Sequence, residues 1–144
     1  MKLGLFVAGA AVLAALASPV CAQGPAQGEA KLQETVTPLF KHEMPNVPGK
    51  ALLAVEVLFP PGAASPPHRH PKSAFLYAYV LSGEIVSAVD DEKPRVYRAG
   101  ESWYEAPGAH HRVTRNASAT TPAKLLVIFV TDPAEQQLVF PDSQ

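Results

Sequence analysis

Apolar residues along this chain fall into short runs, rich in branched and aromatic side chains and separated by turn residues. Val36–His42, Ala51–Phe59 (ALLAVEVLF), Ser73–Leu81 (SAFLYAYVL) and Glu84–Val89 (EIVSAV) come first. Arg95–Arg98, Ser102–Glu105, His110–Arg115 and Lys124–Thr131 (KLLVIFVT) follow. The breaks carry turn chemistry at Pro60-Pro61-Gly62, Ser82-Gly83, Ala99-Gly100 and Ala106-Pro107-Gly108. Asp90-Asp91-Glu92-Lys93-Pro94 reads as a hairpin loop. Many short strands at this spacing predict an all-β sandwich or barrel. The tail Asp132–Gln144 fits one helical turn or an edge strand. No period of solenoid length recurs.

One apolar run is of another kind. Leu3–Ala17 is Ala-rich and 15 residues long, short of the roughly 20 that a membrane span needs. It follows Met1-Lys2 and is broken by Ser18-Pro19, and Val20-Cys21-Ala22 then offers a cleavage site. Residues 1–22 therefore read as a bacterial secretory signal peptide, removed before Gln23. Residues 23–34 read as a flexible linker and 35–144 as the barrel domain. The expected location is the periplasm or the medium, with no membrane attachment after cleavage. The chain's one cysteine, Cys21, leaves with the signal. The secreted domain then has no disulfide, and its stability rests on its core.

Composition narrows the function classes. A 47% hydrophobic content over 144 residues supports one packed domain. Fifteen prolines argue against a helical bundle. Twelve Lys and Arg against 13 Asp and Glu give a net charge of -1, and no basic run provides a nucleic-acid face. The secreted chain has no cysteine nucleophile, no G-x-S-x-G elbow and no glycine-rich phosphate loop.

The five histidines are concentrated: His68, His70, His110 and His111 occupy two short segments, and His42 stands apart. In an extended chain residues i and i+2 share a face, so His68 and His70 of PPHRHP can converge on one cation. Pro66, Pro67 and Pro71 restrict that backbone. His110 and His111 are neighbours on a strand, so only one of them can join the same site. Three imidazoles with a position left open is a common catalytic zinc arrangement. Trp103 and Tyr104 must likewise point to opposite faces. His42, Tyr77, Tyr79 and Glu101 read as packing or surface residues. Glu105 reads as a solvent-facing strand residue, with an inward orientation as the alternative.

Two segments resemble the motifs of the cupin superfamily. In GAASPPHRHPKSAFLYAYVLSG, Gly62, His68, His70 and Gly83 match the first motif. In GESWYEAPGAHHRVTRN, Gly100, Gly108 and His111 fall in register with the second. The resemblance implies a double-stranded β-helix, a jelly-roll-like barrel. It implies a divalent transition metal (Zn, Fe, Ni or Cu) on His68, His70 and His111, with His110 replacing His111 if the chain bulges at Pro107. A small-molecule ligand or substrate and a homodimer are further expectations of the family. The sequence departs from the pattern at Leu76, where the family's metal-binding glutamate usually stands, and no acidic residue lies between His70 and Gly83. Arg115 likewise takes the place of the usual asparagine, one residue before Asn116. Both a metal-dependent enzyme (dioxygenase, isomerase or lyase) and a non-catalytic binding module remain open.

Overall fold

The structure is a computed structural model that describes residues 32–143. The expected signal peptide and residues 23–31 of the expected linker lie outside the described residues. Eleven strands follow in order: β1 (Thr35–Glu43), β2 (Ala51–Phe59), β3 (Ala64–Ser65), β4 (His68–Arg69), β5 (Phe75–Ser82), β6 (Glu84–Val89), β7 (Arg95–Arg98), β8 (Ser102–Glu105), β9 (His110–Asn116), β10 (Ala123–Thr131) and β11 (Phe140–Pro141). They form two antiparallel sheets, ordered β1-β2-β10-β5-β8 and β11-β4-β9-β6-β7, with β3 also on β9. This is the double-stranded β-helix the motifs imply. The tail takes the edge-strand alternative, with β11 pairing on β4. The two-residue strands β3 and β4 have too few residues to show a period.

Alternation decides what the sheets enclose. On β10, Ala123, Leu125, Val127, Phe129 and Thr131 are buried while the residues between them are half-buried. On the neighbouring β2, Val55, Val57 and Phe59 lie beside them on the same face, and β5 on the other side adds Leu76, Ala78 and Val80. Each large apolar side chain buried here contributes roughly 1.5–3 kcal/mol. β1 differs, being exposed along its whole length at a sheet edge.

Two residues of the motifs hold the frame. Gly83, in the turn between β5 and β6, has φ +73°. A Cβ there would stand 2.7 Å from the Pro122 carbonyl oxygen and 2.8 Å from the Ala123 Cα, so only glycine fits. Asn116, at the end of β9, is buried, and its Nδ2 donates to the carbonyls of Phe59, Pro60 and Thr121. Its Oδ1 accepts from the Ser118 N–H. The side chain thereby ties the turn after β2 to the β9–β10 connection.

Candidate metal centre

His68 and His111 are direct cross-strand partners on β4 and β9, so their side chains leave the sheet on one face. His70, two residues after His68, is held by its N–H bond to the Ala109 carbonyl. Ring centroids lie 4.9 Å apart for His68–His70 and 5.2 Å for His68–His111. One nitrogen from each of the three rings falls within 4.8 Å of those of the others. All three side chains are buried. The structure thus brings His68, His70 and His111 together.

His110 points elsewhere. Its Nε2 lies 2.8 Å from Asp142 Oδ2, and its backbone N–H is bonded to Asp90 Oδ1. No bulge at Pro107 reverses the pair. His42 is exposed on β1, stacked on Phe40.

The rings are aimed by their outer nitrogens. His68 Nδ1 lies 2.8 Å from the Pro66 carbonyl oxygen, and His70 Nδ1 lies 2.6 Å from that of Leu138. A carbonyl only accepts, so each Nδ1 carries the hydrogen and each Nε2 keeps its lone pair while the ring is neutral. Bonds of this kind fix the tautomer and direction of metal-binding imidazoles. His111 Nε2 sits between two hydroxyls, 2.8 Å from Ser87 Oγ and 2.7 Å from Thr114 Oγ1.

Glu105 overturns its solvent-facing expectation. It is 1% exposed, at the inner end of β8, on the same face as Trp103. Its Oε1 accepts from Trp103 Nε1 at 3.1 Å and lies 3.1 Å from His111 Nδ1. Its Oε2 lies 3.3 Å from His70 Nε2, and both of those buried atoms lack a hydrogen-bond partner among the described residues. Tyr104 takes the outer face and is 67% exposed. The signal was present in Ser102–Glu105: an inward Trp103 requires an inward Glu105, two residues on.

Burial dominates the electrostatics. It holds His68 below its usual range and pushes His111 down to about 4, against the opposing pull of Glu105 on both. Burial would raise the Glu105 carboxyl, but the surrounding imidazoles and the Trp103 N–H outweigh it and hold it low. Near neutral pH the site is therefore a buried carboxylate beside the uncharged rings of His68 and His111. Such a charge is costly unless a cation accompanies it. Imidazole nitrogens and one carboxylate suit Zn, Fe, Ni or Cu better than Mg or Ca, so these residues fit a divalent transition metal.

The cluster opens onto a barrel cavity of about 160 Å³. Its wall is mainly apolar, with Val57, Leu76, Trp103, Leu125 and Phe129 prominent. Glu34, Ser65 and Thr114 add polar side chains, and among the described residues no Lys or Arg lines it. Tyr77 is exposed, and neither it nor Tyr79 belongs to the lining. Glu101 lies outside, paired with Arg95. Sequence reasoning did not single out Glu34, Ser87, Thr114 or the Leu138 carbonyl, since a lone residue of these kinds carries no spacing signal.

Comparisons with known proteins agree with the geometry. The protein TT1209 from Thermus thermophilus is 28% identical, over 70% of this chain and 86% of that one, with a TM-score of 0.57. An oxalate oxidase solved with the substrate analogue glycolate is 27% identical over 72% of this chain, TM-score 0.56. The match spans only 53% of the oxalate oxidase chain. The cupin domain of Schizosaccharomyces pombe Cnp3 is 23% identical over 72% of this chain and 66% of that one, TM-score 0.56, a likeness of fold alone. No curated protein matches the chain. The cupin-domain family profile matches residues 55–129, which span both histidine segments and just over half of the sequence, and the chain belongs to the cupin family.

Proposed function

We propose that this protein is a periplasmic, single-domain cupin that binds a divalent transition metal through His68, His70 and His111 and uses it on a small organic molecule held in the barrel. The observation that carries the reading is the convergence of three buried imidazoles, two of them turned by carbonyl acceptors so that Nε2 is free. The ion, when bound, would supply a Lewis-acidic position for an oxygen-bearing ligand. The chain's own residues do the rest: the hydroxyls of Ser87 and Thr114 hold the His111 ring, and the apolar wall excludes water. The cavity volume limits the ligand to a small molecule.

The oxalate oxidase likeness supports the reading as an enzyme, with dioxygenase, isomerase or lyase chemistry carried over from the motif resemblance. A binding module without turnover is the second reading. It is favoured by a wall that, among the described residues and apart from the site residues, offers only Glu34, Ser65 and Thr114 as polar side chains. Secretion rests on the sequence pattern of residues 1–22. A homodimer is supported by the exposed Val36, Leu39 and Phe40 on the edge strand β1.

Elemental analysis of the purified protein tests the metal. About one transition metal ion per chain is expected, and its loss in His70→Ala with the barrel still folded. A His70→Ala variant that keeps its metal would overturn the assignment.

A further inference from the structure

We infer that Glu105 is the fourth protein ligand of the bound ion and that it binds through Oε2, with Trp103 holding the other oxygen. The inference rests on the three-histidine reading and adds a residue to it.

Four observations support it. First, Glu105 lies inside the cluster, with its two oxygens 3.1 Å from His111 Nδ1 and 3.3 Å from His70 Nε2. Second, the carboxylate is almost fully buried, where an unaccompanied charge is strongly disfavoured. Third, Oε2 and His70 Nε2 are both buried, and neither has a hydrogen-bond partner among the described residues. Two such acceptor atoms side by side, each with a lone pair, are what a shared cation requires, and buried polar groups without partners are otherwise rare. Fourth, the oxygens are unequal. Trp103 Nε1 donates to Oε1, which leaves Oε2 as the free donor atom.

Register shows how the carboxylate reaches this point. Glu105 on β8 is the direct partner of Leu76 on β5, and both side chains are buried and line the cavity. Position 76 therefore commands the same wall from the adjacent strand. A carboxylate moved there should approach the three imidazoles from almost the same place. This makes an exchange of the two side chains a stringent test of ligation, because it changes position while conserving composition.

Trp103 also provides the readout. It is the chain's one tryptophan, it is bonded to Glu105, and its ring centroid is 6.0 Å from that of His111. Metal capture by Glu105 should alter its emission.

The experiment titrates Co(II) and Zn(II) into metal-stripped full-length protein, following Trp103 fluorescence, the Co(II) visible spectrum and Zn(II) affinity against a competing chelator. Glu105→Gln keeps the shape and an acceptor for Trp103 but removes the charge. It should weaken Zn(II) by at least about tenfold, as losses around metal ligands do, and change the Co(II) spectrum. The exchange variant Leu76→Glu/Glu105→Leu should regain affinity relative to Glu105→Leu alone. Glu105→Asp, measured beside them, should fall between wild type and Glu105→Gln. Circular dichroism of the metal-stripped proteins confirms which variants are folded. Wild-type affinity and spectrum in folded Glu105→Gln would overturn the inference, as would an exchange variant no better than Glu105→Leu. Loss of metal in His70→Ala beside an unaffected Glu105→Gln would leave the histidine site standing and remove Glu105 alone. Retention of metal in His70→Ala would instead remove the three-histidine reading.

Discussion

Leu76 and Glu105 are paired residues on neighbouring strands, both buried and both on the wall of the metal pocket. Position 76 on β5 holds a leucine, and the carboxylate stands one strand away on β8. The arrangement makes the wall apolar on the β5 side and acidic on the β8 side. Ligand preference should follow. With Glu34 and Glu105 lining the cavity and no cationic side chain there, isothermal titration of the zinc-loaded protein should show neutral, compact ligands binding more tightly than dicarboxylates of similar size.

The sequence displayed most of this barrel. The strands at Ala51–Phe59, Glu84–Val89, Arg95–Arg98 and Ser102–Glu105 match their predicted bounds residue for residue, because each is followed within two residues by Gly, Pro or Asp. The three histidines were legible through two motifs in register. Glu105 was legible only through an inward Trp103 two residues before it, because a carboxylate on a strand, taken alone, is ordinarily solvated. Its burial depends on the Trp103 N–H and on rings contributed by distant segments. Ser87 and the Leu138 carbonyl were equally hidden, since long-range hydrogen bonds leave no local pattern.

The two hydroxyls behind His111 should tune the metal. Ser87→Ala with Thr114→Val removes both contacts to Nε2 while keeping the volumes nearly constant. Zn(II) affinity should drop by about 10–100-fold. The urea midpoint of the metal-stripped protein should move much less than the affinity does.

Acid should unfold the metal-free protein earlier than a barrel without buried histidines. His111 falls from 6.5 to about 4 on folding, and His68 also falls, both chiefly through burial. Between those values the unfolded chain binds protons that the folded chain refuses. Stability is therefore full above pH 6.5 and declines as pH drops toward 4. The lowered Glu105 acts in the same direction. The His111 shift alone corresponds to on the order of 3 kcal/mol. Urea unfolding of stripped protein from pH 7.5 to 4 should show this decline, and His111→Gln should flatten it.

Gly83→Ala should be among the most damaging single-methyl additions in the chain. The new Cβ meets backbone atoms, which cannot yield as a side chain would, and φ is +73°. A loss of more than about 1 kcal/mol is expected, read as a lower urea midpoint. Gly62→Ala, with open space at its Cβ, should lose less.

The C-terminal tail should matter to the metal more than to the barrel. Leu138 accepts from His70 Nδ1, β11 pairs with β4, and the Asp142 N–H bonds the Pro67 carbonyl. Deleting residues 138–144 should weaken Zn(II) binding by about 10–100-fold and leave the far-ultraviolet dichroism of the barrel intact.

That docking has a consequence for the order of events during maturation. The acceptor that aims His70 lies 68 residues further along the chain than the ring it holds. Until it folds back, the polypeptide offers a passing ion only the loose chelate of His68-Arg69-His70. A competent cage exists only once the barrel has closed, so ion capture follows folding, and the finished cavity, not the nascent chain, chooses the metal.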